Sequence, residues 1–413
     1  MIPSLADLAP TIVEDSALAA EGARKHAWTQ ANMPLLTALR DEFAATRPLA
    51  GRRIGMCLHV EPKTGVLVEV LVAGGAEVVI TGSPATTDDG TAAYLAQNPG
   101  LRIFARKADT LDDHYRHIGR IVESDPDMLL DNGADLISSV VAREDHRVVA
   151  ATEETTTGAN RLREELSGRL PFPVIVINDS PLKMLIENVY GVGPTVVEGF
   201  MRVTNCLVAS NVFAVVGYGS CGRGIARTLR AMGAGVIVVE KSATRALEAA
   251  FDGMRVMPLE PALSEASVVI TVTGRPDIIT PAEREFLRDG VMLANAGHFG
   301  LEIDVPALAA AAQSVAKVAP LIDEYTLGDG RRIRVLGWGE MLNLTGATGN
   351  QIQVMDLGFA LQAHSMRALS TSPESYVDGP QPVPADINHR IGVDMLRTLS
   401  LVQFRSEGDY PFA

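Results

Sequence analysis

NVFAVVGYGSCGRGIARTLRAMGAGVIVVE, residues 211–240, is the stretch whose reading decides the fold. Val212 to Val216 is the continuous apolar run expected of a buried parallel strand. Gly217, Gly219 and Gly222 follow as G-x-G-x-x-G, where that strand would turn into a helix. Ile225 to Met232 carries a helical apolar pattern, Gly233 ends it, and Val236 to Val239 predicts a second buried strand. Glu240 closes that strand, 18 residues past the third glycine. The first glycine permits a tight turn, the second lets backbone approach a pyrophosphate, and the third lets helix and strand pack closely. The helix N-terminus then faces the phosphates with its unpaired N–H groups. An acid at the second strand's end can accept from a ribose diol, which favours NAD over NADP. The plainer alternative is a glycine turn in an ordinary α/β unit.

Working outward, 413 residues predict two domains rather than one core. A net charge of −14 argues against nucleic acid or anionic membrane as partners. There is no long apolar run, and the N-terminal residues lack a basic-then-apolar signal, so a cytoplasmic location is expected. Cys57, Cys206 and Cys221 lie far apart with no C-x-x-C, which predicts neither a disulfide framework nor a metal site. His114 with His117 reads as a solvated helix pair.

Upstream, Met33 to Phe43 has helical spacing. Arg53 to His59 and Glu77 to Thr81 read as buried strands around a helix at Thr64 to Val72. Asp127 to Leu130 runs into DNGAD, Val148 to Thr152 into EETTTG, and Val174 to Ile177 into NDS. Each is a strand emptying into a polar loop, where open α/β sheets bind ligands. One long helix is expected from Asn188 to Leu207. Downstream, Val268 to Thr273 and Val291 to Ala294 repeat the pattern, and Pro320 to Trp338 reads as strands about a DGR turn. A helix from Gln351 to Leu369, a proline-rich link from Pro373 to Pro384 and a helix from Asp386 to about Leu399 complete the chain. The expectation is a two-domain α/β protein, a Rossmann-type NAD-binding domain inserted into an α/β substrate-binding domain, with a cleft between them. Its segments would be 1–187 and 188–342, then a return helix over 343–372 and a C-terminal tail over 373–413.

The polar loops together carry a resemblance. ANMPLL, RIGMCLHV, LDNGADL, EETTTG, NDSPLKMLIENVYG, VVGYGSCGRG, NAGHFGLEID and MLNLTGATG, in this order, resemble the S-adenosylhomocysteine hydrolase family over nearly the whole chain. The resemblance implies tightly held NAD, a nucleoside substrate and a homo-oligomer, a tetramer or dimer. It also implies transient oxidation at the ribose 3′-carbon, loss of the C4′ proton, 4′,5′-elimination, water addition and return of the hydride, with no net redox change. By motif, Lys183 matches the lysine at the 3′-hydroxyl, Glu154 the acid on the ribose hydroxyls, and Glu187 an acid beside that lysine. His59 and His298 match two histidines near the 5′ position. Thr155, Thr156, Thr157, Asn188 and Asn343 match cofactor contacts. Gly217, Gly219, Ser220, Cys221, Gly222, Glu240, Arg245, Thr273, Ala296 and Gly297 complete the cofactor set.

Departures cluster at the expected substrate site. Asn132 stands where the family has a second aspartate, and an amide cannot take a proton. Glu187 replaces an aspartate and Val192 a cysteine. After His59 the chain reads V-E-P-K-T, so Lys63 replaces an acceptor facing the adenine amino group, unless it points to water and leaves Glu61 to hold the base. Asn350 replaces a histidine, and the tail ends in GDYPFA without the lysine-and-tyrosine pattern of many relatives. Three readings follow. A nucleoside dehydratase that releases a 4′,5′-dehydro-nucleoside fits the loss of an acid; S-adenosylhomocysteine hydrolase proper is the second; a non-catalytic NAD-binding regulator is the third.

Overall fold

The computed structural model describes residues 4–83, 86–143, 145–297 and 299–399. They form two compact units, one of residues 4–183 with 352–399, the other of residues 184–351. No helix among the described residues is long and apolar enough to cross a membrane.

The first unit is built on β1 (Arg53–Cys57), β2 (Glu77–Thr81), β3 (Leu101–Phe104), β4 (Met128–Asp131), β5 (Ala150–Glu153) and β6 (Pro173–Val176). A last strand, Gly379–Pro382, joins β6, and the order is that strand, β6, β5, β4, β1, β2, β3, parallel throughout. These strands are nearly all buried because helices cover both faces, which is why they appear in sequence as unbroken apolar runs. The chain winds outward from β1 to β3, then returns to the other side of β1 to begin β4. The crevice at the carboxyl ends of β1 and β4 is therefore the switch point where such sheets bind ligands.

The second unit repeats this with β7 (Val212–Val216), β8 (Gly235–Val239), β9 (Arg255–Val256), β10 (Val268–Thr271), β11 (Met292–Asn295), β12 (Ala312–Ala319), β13 (Ile322–Leu327) and β14 (Arg332–Leu336). Its order is β12, β13, β14, β11, β10, β7, β8, β9, with the β12–β13–β14 meander antiparallel. Its switch point lies between β7 and β10, at the glycine loop. The α/β two-domain expectation with a Rossmann-type unit is borne out.

Local differences have physical causes. The expected single helix over 188–207 is instead a π-helix, Lys183–Val192, followed by an α-helix, Gly193–Thr204. Pro194 in its first turn has no N–H to give the preceding turn. A Cβ on Gly193 would lie 2.4 Å from the Gly224 carbonyl carbon, and one on Gly224 2.3 Å from Val189 O, so helix Ser220–Ala231 packs there backbone to backbone. The proline-rich link contains the strand Gly379–Pro382, which prolines allow because it is an edge. The strand β12 has no apolar face to announce it: most of its residues are exposed.

Asp356, on helix Ile352–Thr371, caps helix Pro34–Thr46 by accepting from Leu35 N at 2.8 Å and Leu36 N at 2.9 Å. Burial pushes its carboxyl up to about 6. Asp356→Ala strands one buried and one half-buried donor and is expected to cost about 1–3 kcal/mol, read as a lowered urea midpoint; Asp356→Asn, which keeps one acceptor, loses less.

Candidate functional site

At the first unit's switch point, His59 follows β1 and Asn132 follows β4. Their side chains meet, with His59 Nε2 3.1 Å from Asn132 Nδ2. His59 Nδ1 lies 2.9 Å from Thr86 Oγ1, in the loop after β2. Two residues on, Glu61 is the N-cap of helix Pro62–Ala73 and accepts from Lys63 N at 3.2 Å. Pro62 at the first helical position fixes this entry. Lys63 is only 7% exposed, with Nζ 3.3 Å from Glu61 Oε2, so the solvent-pointing alternative for Lys63 is overturned. Burial raises the Glu61 carboxyl above its usual range, with Lys63 opposing.

Beneath the site sits a buried acid pair. Asp131 accepts from Asn132 N at 2.8 Å and Ile137 N at 2.7 Å. Glu153, its register partner on β5, accepts from Gly133 N at 2.9 Å, Ala134 N at 3.0 Å, Thr155 N at 2.8 Å and Thr155 Oγ1 at 2.7 Å. Gly133 and Ala134 hold φ of +98° and +63°, turning successive N–H groups toward one carboxylate. The glycine of EETTTG makes room for that carboxylate: a Cβ on Gly158 would lie 2.2 Å from Glu153 Cδ. Thr155 then caps helix Thr156–Glu164, while Thr156 is exposed and Thr157 half-buried. Asp135, Arg161 and His114 brace the same loop from the side: Arg161 Nη1 reaches Asp135 at 2.7 Å, and His114 Nε2 lies 3.4 Å from Asp135 Oδ2. His114 and His117 are thus buried, at 2% and 4% exposure, not a solvated pair.

Glu154 points the other way from Glu153. Lys183 Nζ donates to one of its oxygens and Gln362 Nε2 to the other. All three are buried. Gln362 lies on helix Ile352–Thr371 and sequence reading missed it; a glutamine inside an apolar helical face was the available signal.

In the second unit, Gly217 has φ +108°, and a Cβ there would lie 2.8 Å from Val272 O. A Cβ on Gly222 would lie 2.0 Å from Gly217 O, whereas one on Gly219 would meet nothing within 4 Å. Helix Ser220–Ala231 starts behind Gly219 with no side chain capping it, and Ser220 and Cys221 are half-buried in its first turn. An open glycine before an uncapped helix is a cradle that fits a pyrophosphate. Glu240 accepts from Tyr218 N and Ser242 N, each at 2.8 Å, one per oxygen. It thus holds the glycine loop in place and keeps further lone pairs for a ribose diol. Thr273 N and Gly274 N are held by the buried Glu302, another residue sequence reading passed over. Ala296 N donates to Thr271 O at 2.7 Å, and Gly297 N to Asn295 Oδ1 at 2.8 Å. Asn188 and Asn343 are nearly buried, and Asn343 O accepts from Gly349 N at 2.8 Å. Asn350 Nδ2 donates to Glu187 at 3.3 Å. Arg245 is exposed on helix Ala243–Phe251. His298 lies outside the described residues.

Burial, then the negative charge of Asp131, raises Glu153 from 4.5 to about 8, and burial raises Asp131 to about 7. Between 4.5 and about 8 the folded chain therefore keeps protons that the unfolded chain has released. Stability should fall as pH rises through that window, by up to about 1.4 kcal/mol per pH unit for each proton held. Urea unfolding at several pH values checks this, and Glu153→Gln, which cannot titrate, should flatten the slope.

Residues 10–151 match the family model of S-adenosyl-L-homocysteine hydrolase, and residues 188–349 match that of its NAD binding domain. A protein of Methanopyrus kandleri named S-inosyl-L-homocysteine hydrolase is 43% identical over 94% of this chain and 93% of its own. An adenosylhomocysteinase of Archaeoglobus fulgidus is 44% identical over 83% of this chain and 85% of its own. A second S-inosyl-L-homocysteine hydrolase, from Methanothermobacter thermautotrophicus, is 42% identical over 87% of this chain and 88% of its own. The chain belongs to the S-adenosyl-L-homocysteine hydrolase family and carries that family's NAD-binding domain.

Proposed function

We propose that the protein hydrolyses an S-nucleosyl-L-homocysteine whose base is a 6-oxopurine, with S-inosyl-L-homocysteine as the type substrate. The observation that carries this is the pair of buried Lys63 and half-buried Glu61, a donor and an acceptor 3.3 Å apart. A 6-oxopurine presents an acceptor at O6 beside a donor at N1–H, which is the complement of that pair. Adenine presents the reverse, an amino donor beside an N1 acceptor. Meeting it would set donor against donor, at about 1–3 kcal/mol, or roughly 5- to 150-fold in specificity. The names of two relatives, from Methanopyrus kandleri and Methanothermobacter thermautotrophicus, agree with this reading.

NAD, when bound, supplies a reversible oxidant for the ribose 3′-carbon. The chain's own residues do the rest. Glu154, steadied by Lys183 and Gln362, receives ribose hydroxyls, and Lys183 holds or takes the proton of the 3′-hydroxyl. His59 serves proton transfer on the 5′ side. The other cofactor and substrate residues named from the sequence, the division of substrate and cofactor between the two units, a homotetramer or dimer and a cytoplasmic location belong to the same proposal. A second reading, a dehydratase that releases a 4′,5′-dehydro-nucleoside, is favoured by one observation: Asn132 places an amide where a titratable acid would serve water chemistry.

Purified holoenzyme incubated with S-inosyl- and S-adenosyl-L-homocysteine tests both readings. Thiol release is expected with kcat/KM at least about tenfold higher for the inosyl compound, and Lys63→Gln should narrow the gap. A preference for the adenosyl compound overturns the base assignment. A dehydro-nucleoside formed from a 5′-hydroxyl nucleoside, without thiol release from either thioether, moves the assignment to the dehydratase.

A further inference from the structure

Two contacts of His59 point to which of its nitrogens carries the proton. Thr86 Oγ1 lies 2.8 Å from Ser83 O, and a carbonyl oxygen has no proton to share. The Thr86 hydroxyl must therefore point its hydrogen at Ser83, leaving a lone pair toward His59 Nδ1 at 2.9 Å. Nδ1 is the N–H of the ring. On the other side, Asn132 Nδ2 bears only hydrogens, so Nε2 meets it, at 3.1 Å, with its lone pair. The two contacts agree on one state, a neutral imidazole with Nδ1–H and a basic Nε2. A carboxylate at position 132 would demand a proton on Nε2 as well and turn the ring into an imidazolium. The amide removes that demand.

Asn132 is well placed to impose this. It is 2% exposed, its own N–H is held by Asp131, and the next two N–H groups are held by Glu153. Its Oδ1 is buried and has no hydrogen-bond partner among the described residues. An unmet buried acceptor beside a histidine lone pair fits an O–H group that has one hydrogen for each.

We propose that Thr86 is a positioning residue that presets His59 as a base at Nε2, and that Asn132 Oδ1 orients the water that base deprotonates. This rests on reading His59 as the 5′-side proton acceptor. One water hydrogen is accepted as a hydrogen bond by Oδ1; the other passes as a proton to Nε2. The water O–H bond breaks, its oxygen bonds to the 5′-carbon, and the displaced alkene pair moves onto C4′. The Asn132 amide gives up its contact with Nε2 as the water enters.

The test is nitrogen NMR of holoenzyme labelled with ¹⁵N-histidine, the His59 signals assigned by their loss in His59→Gln. The wild type should show the Nδ1–H tautomer. Thr86→Val should mix in the Nε2–H form and lower kcat about ten- to hundredfold with KM changed less than about twofold; Thr86→Ser should restore both. Asn132→Asp should move the ring to the doubly protonated signal. A wild-type Nε2–H tautomer overturns the proposal, as does a Thr86→Val enzyme with unchanged tautomer and kcat. If Thr86→Val fails to fold, the wild-type spectrum and Asn132→Asp still decide. The spectra need no substrate, so a wrong choice of nucleobase would show in the thiol assay and leave the tautomer result standing.

Discussion

Much of the candidate substrate site depends on one carboxyl group having no water to turn to. Glu153 is fully buried and takes four hydrogens from two loops, one after β4 and one after β5. Backbone donors out of reach of solvent must be paired inside the protein. By pairing them, Glu153 joins the loop that presents Asn132 to the loop that presents Glu154. The residue that faces the histidine and the residue that faces the lysine are thereby held from one point beneath them. Asp131 repeats the device within its own loop.

The second unit solves the same problem in the same way. Glu302 gathers the N–H groups of Thr273 and Gly274, and Glu240 gathers those of Tyr218 and Ser242. In both units a carboxylate sits below the switch point of a parallel sheet and organises the loops above it. Glycines clear the space: Gly158 for Glu153 in the first unit, and Gly297, whose Cβ would lie 1.6 Å from Glu302 Oε1, in the second.

The legible part of the fold was the part that buries both faces. The strands β1, β2 and β7 stood out because parallel strands between helices must be apolar throughout. Gly379–Pro382 did not, because two prolines in four residues argue against pairing unless the edge is known. Strand β12 did not, because its exposed residues carry no face pattern. At the site, motif residues such as Lys183 and Glu154 were legible as loop signatures. Thr86, Gln362, Glu302 and the burial of His114 were not, since each acts through a partner distant in sequence and no spacing announces it. Lys63 was legible as an anomaly, and its burial is what supports the proposed base preference.

The strand Gly379–Pro382 has a consequence beyond its own sheet. Gly379 gives its N–H inward to Phe172 O, so by the alternation of a strand the outward-facing positions are Pro380 and Pro382. Neither has a hydrogen to donate, and that flank offers acceptors alone. At the opposite flank, β3 is partly covered by Ile12, which bonds Ile103 O and Ala105 N. A second chain that tried to lengthen this sheet would find a ladder without rungs at one end and an occupied rung at the other. Strand-to-strand growth of this unit, the route that leads to fibres, is thereby disfavoured at both edges.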